Sequence, residues 1–316
     1  MTANEAHTNV HKQERNEWKV LLVLALSFVL MEALVRCFAG SLSVDLRNIL
    51  ATRQTASRIG NAHDDVQTVL VVGNSLARCG VDLPLLGDDT GWPPDDKRQG
   101  VDVELFTPDG SSVAQWDWGM KRYFANAGVR PDVILLLTGR VHLLDLPASP
   151  ETLGAYYVGT PDLGGAMNSM EGSEDAVRLL LGATSHLLAN RDRVRTRIGY
   201  SYLPGFEIAW PSLTAMSLNG VEASDWQPEM ASTESLERLI ATARRMGSDL
   251  HVISVPMPEP YDLPETVIRC LERSDTPYHN LSSLPGIGAA SFPDGYHIDE
   301  PGARAFTQTI LRSLSP

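Results

Sequence analysis

The sequence predicts an α/β fold, with helices on both faces of an open, mostly parallel sheet and one apolar helix in front of it. Two observations predict this fold. After residue 65, short apolar runs alternate with amphipathic stretches, which is the rhythm of βα units. Before them, Val20–Phe38 is an almost continuous apolar segment, close to the length that a membrane-spanning helix needs.

The apolar segment carries two charges near its end, Glu32 and Arg36, spaced one helical turn apart. They can pair with each other and reach the membrane interface. We interpret the segment as an uncleaved, single-pass anchor; a cleaved signal peptide and a buried helix remain the alternatives. The charges and the lack of a small-residue cleavage site disfavour the signal peptide.

Four parts of the chain are expected from this pattern. They are a polar tail (1–19), a transmembrane helix (20–39), a polar linker (40–65) and a domain (66–316) with an insertion at about 147–227. The insertion interrupts the βα rhythm. A cap over one end of the sheet and a plain packed excursion are both open interpretations of it. Basic residues flank the apolar segment on both sides, so the positive-inside rule does not decide its orientation.

The strands and helices of the domain follow from apolar runs and helical spacing. The predicted strands are Gln67–Gly73, Val101–Phe106, Asp132–Leu137, Asp249–Val255 and a short Pro277–Leu281. The predicted helices are one beginning near Ser75, then Ser111–Ala125, Glu174–Asn190, Ser232–Met246, Leu263–Arg273 and Pro301–Ser313.

The charge and cysteine content narrow the class of protein. A net charge of -13 argues against nucleic acid as a partner and disfavours anionic lipid headgroups. Cys37, Cys79 and Cys270 lack the spacing of metal ligands, and free thiols are expected, with a Cys79–Cys270 bridge as the alternative. No metal or bound cofactor is predicted.

Two motifs contain candidate catalytic residues, a serine in one and an aspartate with a histidine in the other. Ser75 follows a predicted strand and begins a helix, which places it at the carboxyl edge of a parallel sheet, where ligands bind. Asp294 stands three residues before His297, ahead of the last helix, where a carboxylate can orient an imidazole. Together they offer a nucleophile, a base and an orienting acid. The alternatives are a helix cap for Ser75 and a solvent-facing loop pair for Asp294 and His297.

Both motifs resemble blocks of the SGNH (GDSL-like) hydrolase family. The string VLVVGNSLARCGVD is similar to its first block and DGYHIDEPGARAFTQTI to its last, over roughly 66–315 without the insertion. The resemblance implies a three-layer, flavodoxin-like sandwich with Ser75, Asp294 and His297 as the triad. An anchored domain of this kind resembles bacterial envelope branches that act on acyl groups of polysaccharides or wall polymers.

The middle blocks of that family match less well. The resemblance assigns the Ser75 and Gly110 amides to an oxyanion hole. It also places Val141 where the family has an asparagine donor, and His142 where the family has an aspartate. Losing one oxyanion donor typically costs ~10²–10³ in rate. Arg140 or His142 is the candidate to replace the missing oxyanion donor. The alternative is that Arg140 is only a charged loop residue and that His142 is only a packed histidine.

The expected function is therefore a serine-dependent esterase or acyltransferase for small acyl esters, with envelope polysaccharide as the substrate that the resemblance suggests. The alternative is a catalytically silent, membrane-tethered binding or assembly subunit of the same fold. The expected location is the bacterial inner membrane, with the domain outside the cytoplasm. A membrane-protein partner of unknown identity is compatible with either function.

Overall fold

The computed structural model of the chain describes residues 3–88, 92, 100–170, 172–206 and 231–314, with side chains from Trp18 onward. Residues 207–227 of the predicted insertion lie outside the described residues.

In the part of the chain that the structure describes, five strands form one parallel sheet in the order β2-β1-β3-β4-β5. They are β1 (Val66–Val72), β2 (Gly100–Phe106), β3 (Val133–Thr138), β4 (Asp249–Ser254) and β5 (Tyr278–His279). Val72 pairs with Phe106 on one side and Leu136 on the other, so the carboxyl ends of these three strands meet at one edge. The predicted parallel α/β fold is confirmed.

Helices connect these strands and precede them. In chain order they are α1 (Ala3–Leu42), α2 (Val44–Gly60), α3 (Ser75–Gly80), α4 (Leu83–Leu86), α5 (Val113–Gly119), α6 (Pro150–Thr152), α7 (Leu163–Asn168), α8 (Ser173–Thr184), α9 (His186–Ala189), α10 (Arg191–Tyr202), α11 (Glu234–Met246), α12 (Glu265–Arg273) and α13 (Glu300–Leu314).

The sheet is the middle one of three layers. Alternate side chains of β1 point to opposite faces: Leu70 and Val72 pack with α2, α5, α11 and α12, whereas Val69 and Val71 pack with α3 and α13. All four side chains are fully buried. Burial on both faces explains why the strands read as continuous apolar runs in the sequence.

Helix α1 is long and apolar enough to cross a membrane over Trp18–Leu42, where the mean hydropathy reaches 2.3. Nearly all of this stretch is exposed, which distinguishes it from a core helix. The segment 1–19, predicted as a separate polar tail, instead continues into α1 from Ala3 onward.

The segment 40–65, predicted as a polar linker, contains α2, and that helix packs on the sheet. Leu46, Ile49, Ala56 and Ile59 recur at helical spacing and are buried, although the helix as a whole is polar. The linker prediction was based on the polar composition of the segment and overlooked the helical spacing of its few apolar residues. The Thr55 hydroxyl also donates to the Leu105 carbonyl of β2 at 3.1 Å, which fixes α2 along the edge strand.

Two predicted helices are shorter in the structure than expected. The helix predicted over Glu174–Asn190 breaks at Ser185, whose hydroxyl accepts from the Leu188 N–H and so begins α9. The helix predicted over Ser111–Ala125 ends as α5 at Gly119, and a π-helical turn follows. A Cβ at Gly119 would lie 2.3 Å from the Phe106 ring, so only glycine permits this close packing against β2.

Candidate active site

Ser75 is held at the end of β1 by a tight turn into α3. A Cβ at Gly73 would lie 2.5 Å from the Ala77 Cβ and 2.7 Å from the Leu137 carbonyl oxygen, so glycine is required there. The Asn74 side chain caps α3 by accepting from the Leu76 N–H at 3.0 Å. The cap role considered for Ser75 therefore belongs to Asn74, and the Ser75 hydroxyl is available for other contacts.

Asp294 and His297 are fixed to each other by the turn between them. Gly295 adopts a left-handed conformation with φ of 77°. Asp294 Oδ1 accepts from the backbone N–H of Tyr296 at 2.9 Å and of His297 at 2.7 Å. Asp294 Oδ2 lies 2.7 Å from His297 Nδ1. The exposed carboxylate thus orients the imidazole through both its backbone and its ring.

These contacts stabilise the ionised form of Asp294. Its pKa is well below its usual range, chiefly because the His297 backbone N–H donates to the carboxylate; the imidazole and the Tyr296 N–H add to the effect. An ionised carboxylate only accepts hydrogen bonds, so His297 Nδ1 must carry a proton. When the ring is neutral, Nε2 is then left with a free lone pair.

The structure brings Ser75 and His297 together across 222 positions of sequence. Ser75 Oγ lies 2.9 Å from His297 Nε2. This distance falls inside the range in which a histidine can remove a hydroxyl proton. The Tyr296 ring packs edge-on against the imidazole, with ring centroids 5.1 Å apart. The three side chains thus have the geometry of a hydroxyl activated by an oriented base.

Two backbone amides are candidate donors to an oxyanion: that of Ser75 itself and that of Gly110, whose neighbour Ser111 accepts from the Asn74 side chain at 3.1 Å. Gly110 has φ of 64°, a conformation that favours glycine. Among the described residues, neither the Ser75 nor the Gly110 N–H donates a hydrogen bond. Both donors are therefore free to bind a negative oxygen, and Ser75 also lies in the first turn of α3.

A carboxylate that the sequence analysis missed holds the Gly110 turn in place. Asp109 accepts from Arg78 at 2.8 Å and from Asn48 of α2 at 3.2 Å. Arg78 stands one helical turn after Ser75, so the same network joins α3, the glycine turn and α2. The i,i+3 spacing of Ser75 and Arg78 could have indicated that Arg78 lies near the site. Nothing in the sequence indicated that Asn48 contacts Asp109.

The turn after β3 does not supply the missing asparagine. Val141 is partly buried against the core, and Arg140 is exposed and lines a separate 340 Å³ cavity with Asp262 and Arg269. Neither the Arg140 nor the His142 side chain donates to Ser75 within the described residues.

His142 is a packed histidine. Its Nδ1 is buried without a hydrogen-bond partner among the described residues, and burial lowers its pKa, which favours the neutral ring. A Cβ on Gly139 would lie 2.9 Å from this nitrogen, so the ring packs tightly over Gly139. The backbone carbonyl of His142 accepts from the Val113 N–H at 2.8 Å, which joins this turn to α5 beside the Gly110 turn.

The cysteines behave as the sequence indicated. Cys37, Cys79 and Cys270 are free, so the alternative Cys79–Cys270 bridge is wrong. Within the described ranges, no group of three or more histidine, cysteine or acidic side chains is placed to hold a metal ion.

The solved structures that match this chain include TesA and an acetyl xylan esterase. No family model and no curated protein matches the chain. The crystal structure of TesA matches at 13% identity and a TM-score of 0.37, covering 79% of this chain and 99% of TesA. An acetyl xylan esterase, Axe2 from Geobacillus stearothermophilus, matches at 12% identity and a TM-score of 0.36, covering 78% of this chain and 94% of its own. At these values the likeness carries no inference about activity, which must come from the side chains of the site.

The Asp294 carboxylate yields a prediction. Asp294→Asn replaces an acceptor by an amide that can donate to His297 Nδ1, which moves the ring proton to Nε2 and blocks proton removal from Ser75. We expect the rate of Ser75 labelling by a fluorophosphonate to fall by on the order of 10⁴, as for this substitution in serine-protease triads. The matched control is Asp299→Asn, because Asp299 caps α13 by accepting from Gly302 and asparagine caps equally well. Equal labelling of both variants would contradict the assigned role.

Proposed function

We propose that this protein is a serine-dependent esterase or acyltransferase of the SGNH type, acting on small acyl esters. One observation carries the proposal: the continuous hydrogen-bonded chain from Ser75 Oγ through the His297 ring to Asp294, with contacts of 2.9 and 2.7 Å. A structural serine in a helix cap does not need a histidine oriented by an ionised carboxylate. Activation of a hydroxyl nucleophile does.

The mechanism follows from these contacts. Ser75 Oγ attacks the ester carbonyl carbon while its proton passes to His297 Nε2, and Asp294 stabilises the resulting imidazolium. The carbonyl oxygen becomes negative and accepts from the Ser75 and Gly110 N–H groups. When the tetrahedral intermediate collapses, the C–O bond to the alcohol breaks and His297 protonates the departing oxygen. An acyl-serine remains.

The second half of the reaction repeats these steps with a new acceptor. His297 removes a proton from water, for hydrolysis, or from an acceptor hydroxyl, for acyl transfer, and the acceptor oxygen attacks the acyl-serine. The oxyanion forms at the same two amides, and Ser75 leaves with the proton from His297. The choice of acceptor determines whether the protein is a hydrolase or a transferase. Envelope polysaccharide is the substrate class that the anchored architecture and the family resemblance support.

A fluorophosphonate probe tests the nucleophile. We expect the full chain in detergent to be labelled, and Ser75→Ala to abolish labelling, because the probe reacts only with an activated serine. Ser291→Ala is the control, since Ser291 lies in the same loop as His297 without a side-chain hydrogen bond among the described residues. Labelling that persists in Ser75→Ala would disprove the assignment.

A second candidate function is favoured by one observation, the absence of a side-chain oxyanion donor in the turn after β3. Val141 cannot donate, Arg140 faces another cavity, and the Nδ1 atom of His142 is buried. A catalytically silent binding or assembly subunit would tolerate this loss. If the probe never labels Ser75 in the folded chain, this candidate replaces the enzyme.

The incomplete hole makes a quantitative prediction. With two amides only, the wild-type chain should turn over p-nitrophenyl acetate slowly, and Val141→Asn should raise the turnover by ~10-fold or more if the new amide is well placed. The Ser75→Ala chain measures the background. If His142→Ala abolishes a robust wild-type activity while Val141→Asn changes nothing, His142 is the third donor and the hole is complete.

We also propose that α1 is an uncleaved anchor in the bacterial inner membrane and that the domain (66–316) lies outside the cytoplasm. The length and exposure of the apolar helix support the anchor; the family resemblance supports the orientation. Protease added to intact spheroplasts should therefore digest the domain. Protection in spheroplasts, together with digestion in inverted vesicles, would reverse the orientation.

A further inference from the structure

We propose that helices α8, α9 and α10 lie in the interfacial layer of the bilayer that α1 spans, in direct contact with lipid. This inference rests on the proposed anchor and goes beyond it, because it assigns a second membrane-contacting surface to the predicted insertion. Four observations carry it: a docking contact inside the apolar helix, the depth of that contact, an exposed apolar stripe, and a basic helix with exposed tyrosines.

The docking contact is made by Glu32, inside the apolar part of α1. Its carboxylate accepts from the Ser185 hydroxyl at 2.8 Å and from the backbone N–H groups of His186 and Leu187 at 2.9 Å each. Arg36 pairs with the same carboxylate at 2.6 Å and donates to the Thr184 carbonyl at 3.0 Å. The junction between α8 and α9 is therefore held by hydrogen bonds against the apolar helix.

The position of Glu32 along α1 gives its depth. Trp18 begins the apolar stretch and is of the residue type that marks a membrane interface. A helix rises by 1.5 Å per residue, so Glu32 lies about 21 Å from Trp18 along the axis. A hydrocarbon core of about 30 Å would therefore extend about 9 Å beyond Glu32. The junction docked on Glu32 then lies at the depth of interfacial helices, which enter by roughly 5–10 Å.

Helix α8 presents a matching surface. Its exposed residues follow one helical face, and three consecutive members of that face are apolar: Val177, Leu180 and Leu181. Ser173 and Glu174, two polar members of the face, lie at the end of the helix far from Glu32. Thr184 is also exposed and lies at the docked end, but its hydroxyl donates to the Leu180 and Leu181 carbonyls of its own helix. Between these two ends the exposed face is apolar, as a surface that enters a membrane requires.

Helix α10 adds basic residues that could bind anionic lipid headgroups. It carries four arginines and one aspartate, a local charge of +3 in a chain whose net charge is -13. Arg193 is bound to Asp45 of α2 at 2.6 Å. Arg191 lies near Glu151 and Asp192, and Arg195 lies near Asp192. Arg197 is exposed and is the arginine of α10 without an acidic partner among the described residues. The net charge of α10 itself is positive, opposite in sign to that of the whole chain.

Exposed tyrosines and aliphatic side chains accompany these arginines. Ile198, Tyr200, Tyr202 and Leu203 are between 45% and 78% exposed. Tyrosine is enriched where one end of a side chain is apolar and the other is wet, as at a headgroup layer. Since Asp45 lies three residues after the end of α1, the contact of Arg193 with Asp45 places α10 near the level at which the proposed anchor leaves the hydrocarbon. The expected occupant of the whole surface is a bilayer with anionic headgroups.

Depth-dependent quenching tests this placement. The full chain, with its three native cysteines replaced by alanine, receives a single environment-sensitive fluorophore at Leu181→Cys. References are Val29→Cys, about midway along a spanning α1, and Gln308→Cys, exposed on α13. Each chain is reconstituted in phosphatidylcholine–phosphatidylglycerol vesicles containing lipid with a nitroxide either near the ester groups or near the end of the acyl chain.

The expected result is distinct for each probe. The Leu181 probe should be quenched several-fold more than the Gln308 probe, and more by the shallow nitroxide than by the deep one. The Val29 probe should show the opposite depth preference. If the Val29 probe is quenched and the Leu181 probe matches Gln308, the interfacial placement is wrong and the anchor stands. If Val29 is not quenched either, the anchor itself fails. An apolar emission spectrum at Leu181 without quenching means that protein, such as a second copy, covers the stripe, and also overturns the proposal.

Discussion

The packing of the last helix against the first βα unit holds the candidate site together. Phe306 of α13 is fully buried in the same cluster as Leu76 and Ala77 of α3. The Thr307 hydroxyl of α13 also accepts from the backbone N–H of Asp82, which lies just after the end of α3, at 2.9 Å. Ser75 and His297 come from opposite ends of the domain, so their hydrogen bond exists only while α13 packs against α3. Any substitution that loosens this packing acts on the site without touching it.

The parts of the molecule that could be predicted from the sequence are those determined locally. The strands were visible because residues buried on both faces leave continuous apolar runs, and β3 is buried along its whole length. The Asp294–His297 pair was visible because its contacts span only three positions. The order of the two motifs then implied that the sheet brings them to one edge, where they are found.

The parts that could not be predicted depend on distant partners. Helix α2 reads as a polar linker because its buried face is narrow and becomes meaningful only against β2. The break at Ser185 depends on Glu32, 153 positions earlier in the chain. The Asp109 network likewise joins residues of three separate elements. Sequence spacing identifies groups that contact a neighbour, but the path of the chain decides which distant groups meet.

The Asp109 carboxylate has a mechanical consequence. Through Asn48 it is bound to α2, the helix that follows α1, and through Arg78 to α3, the helix that begins at Ser75. Glu32 of α1 and Asp45 of α2 make further contacts with the domain, to Ser185 and Arg193. An anchored domain would therefore not move freely relative to α1. Such a rigid attachment would hold Ser75 at a fixed height above the lipid and limit the acceptors that it could reach to those at that height. Reach, as well as chemical fit, would then select which acceptors are modified.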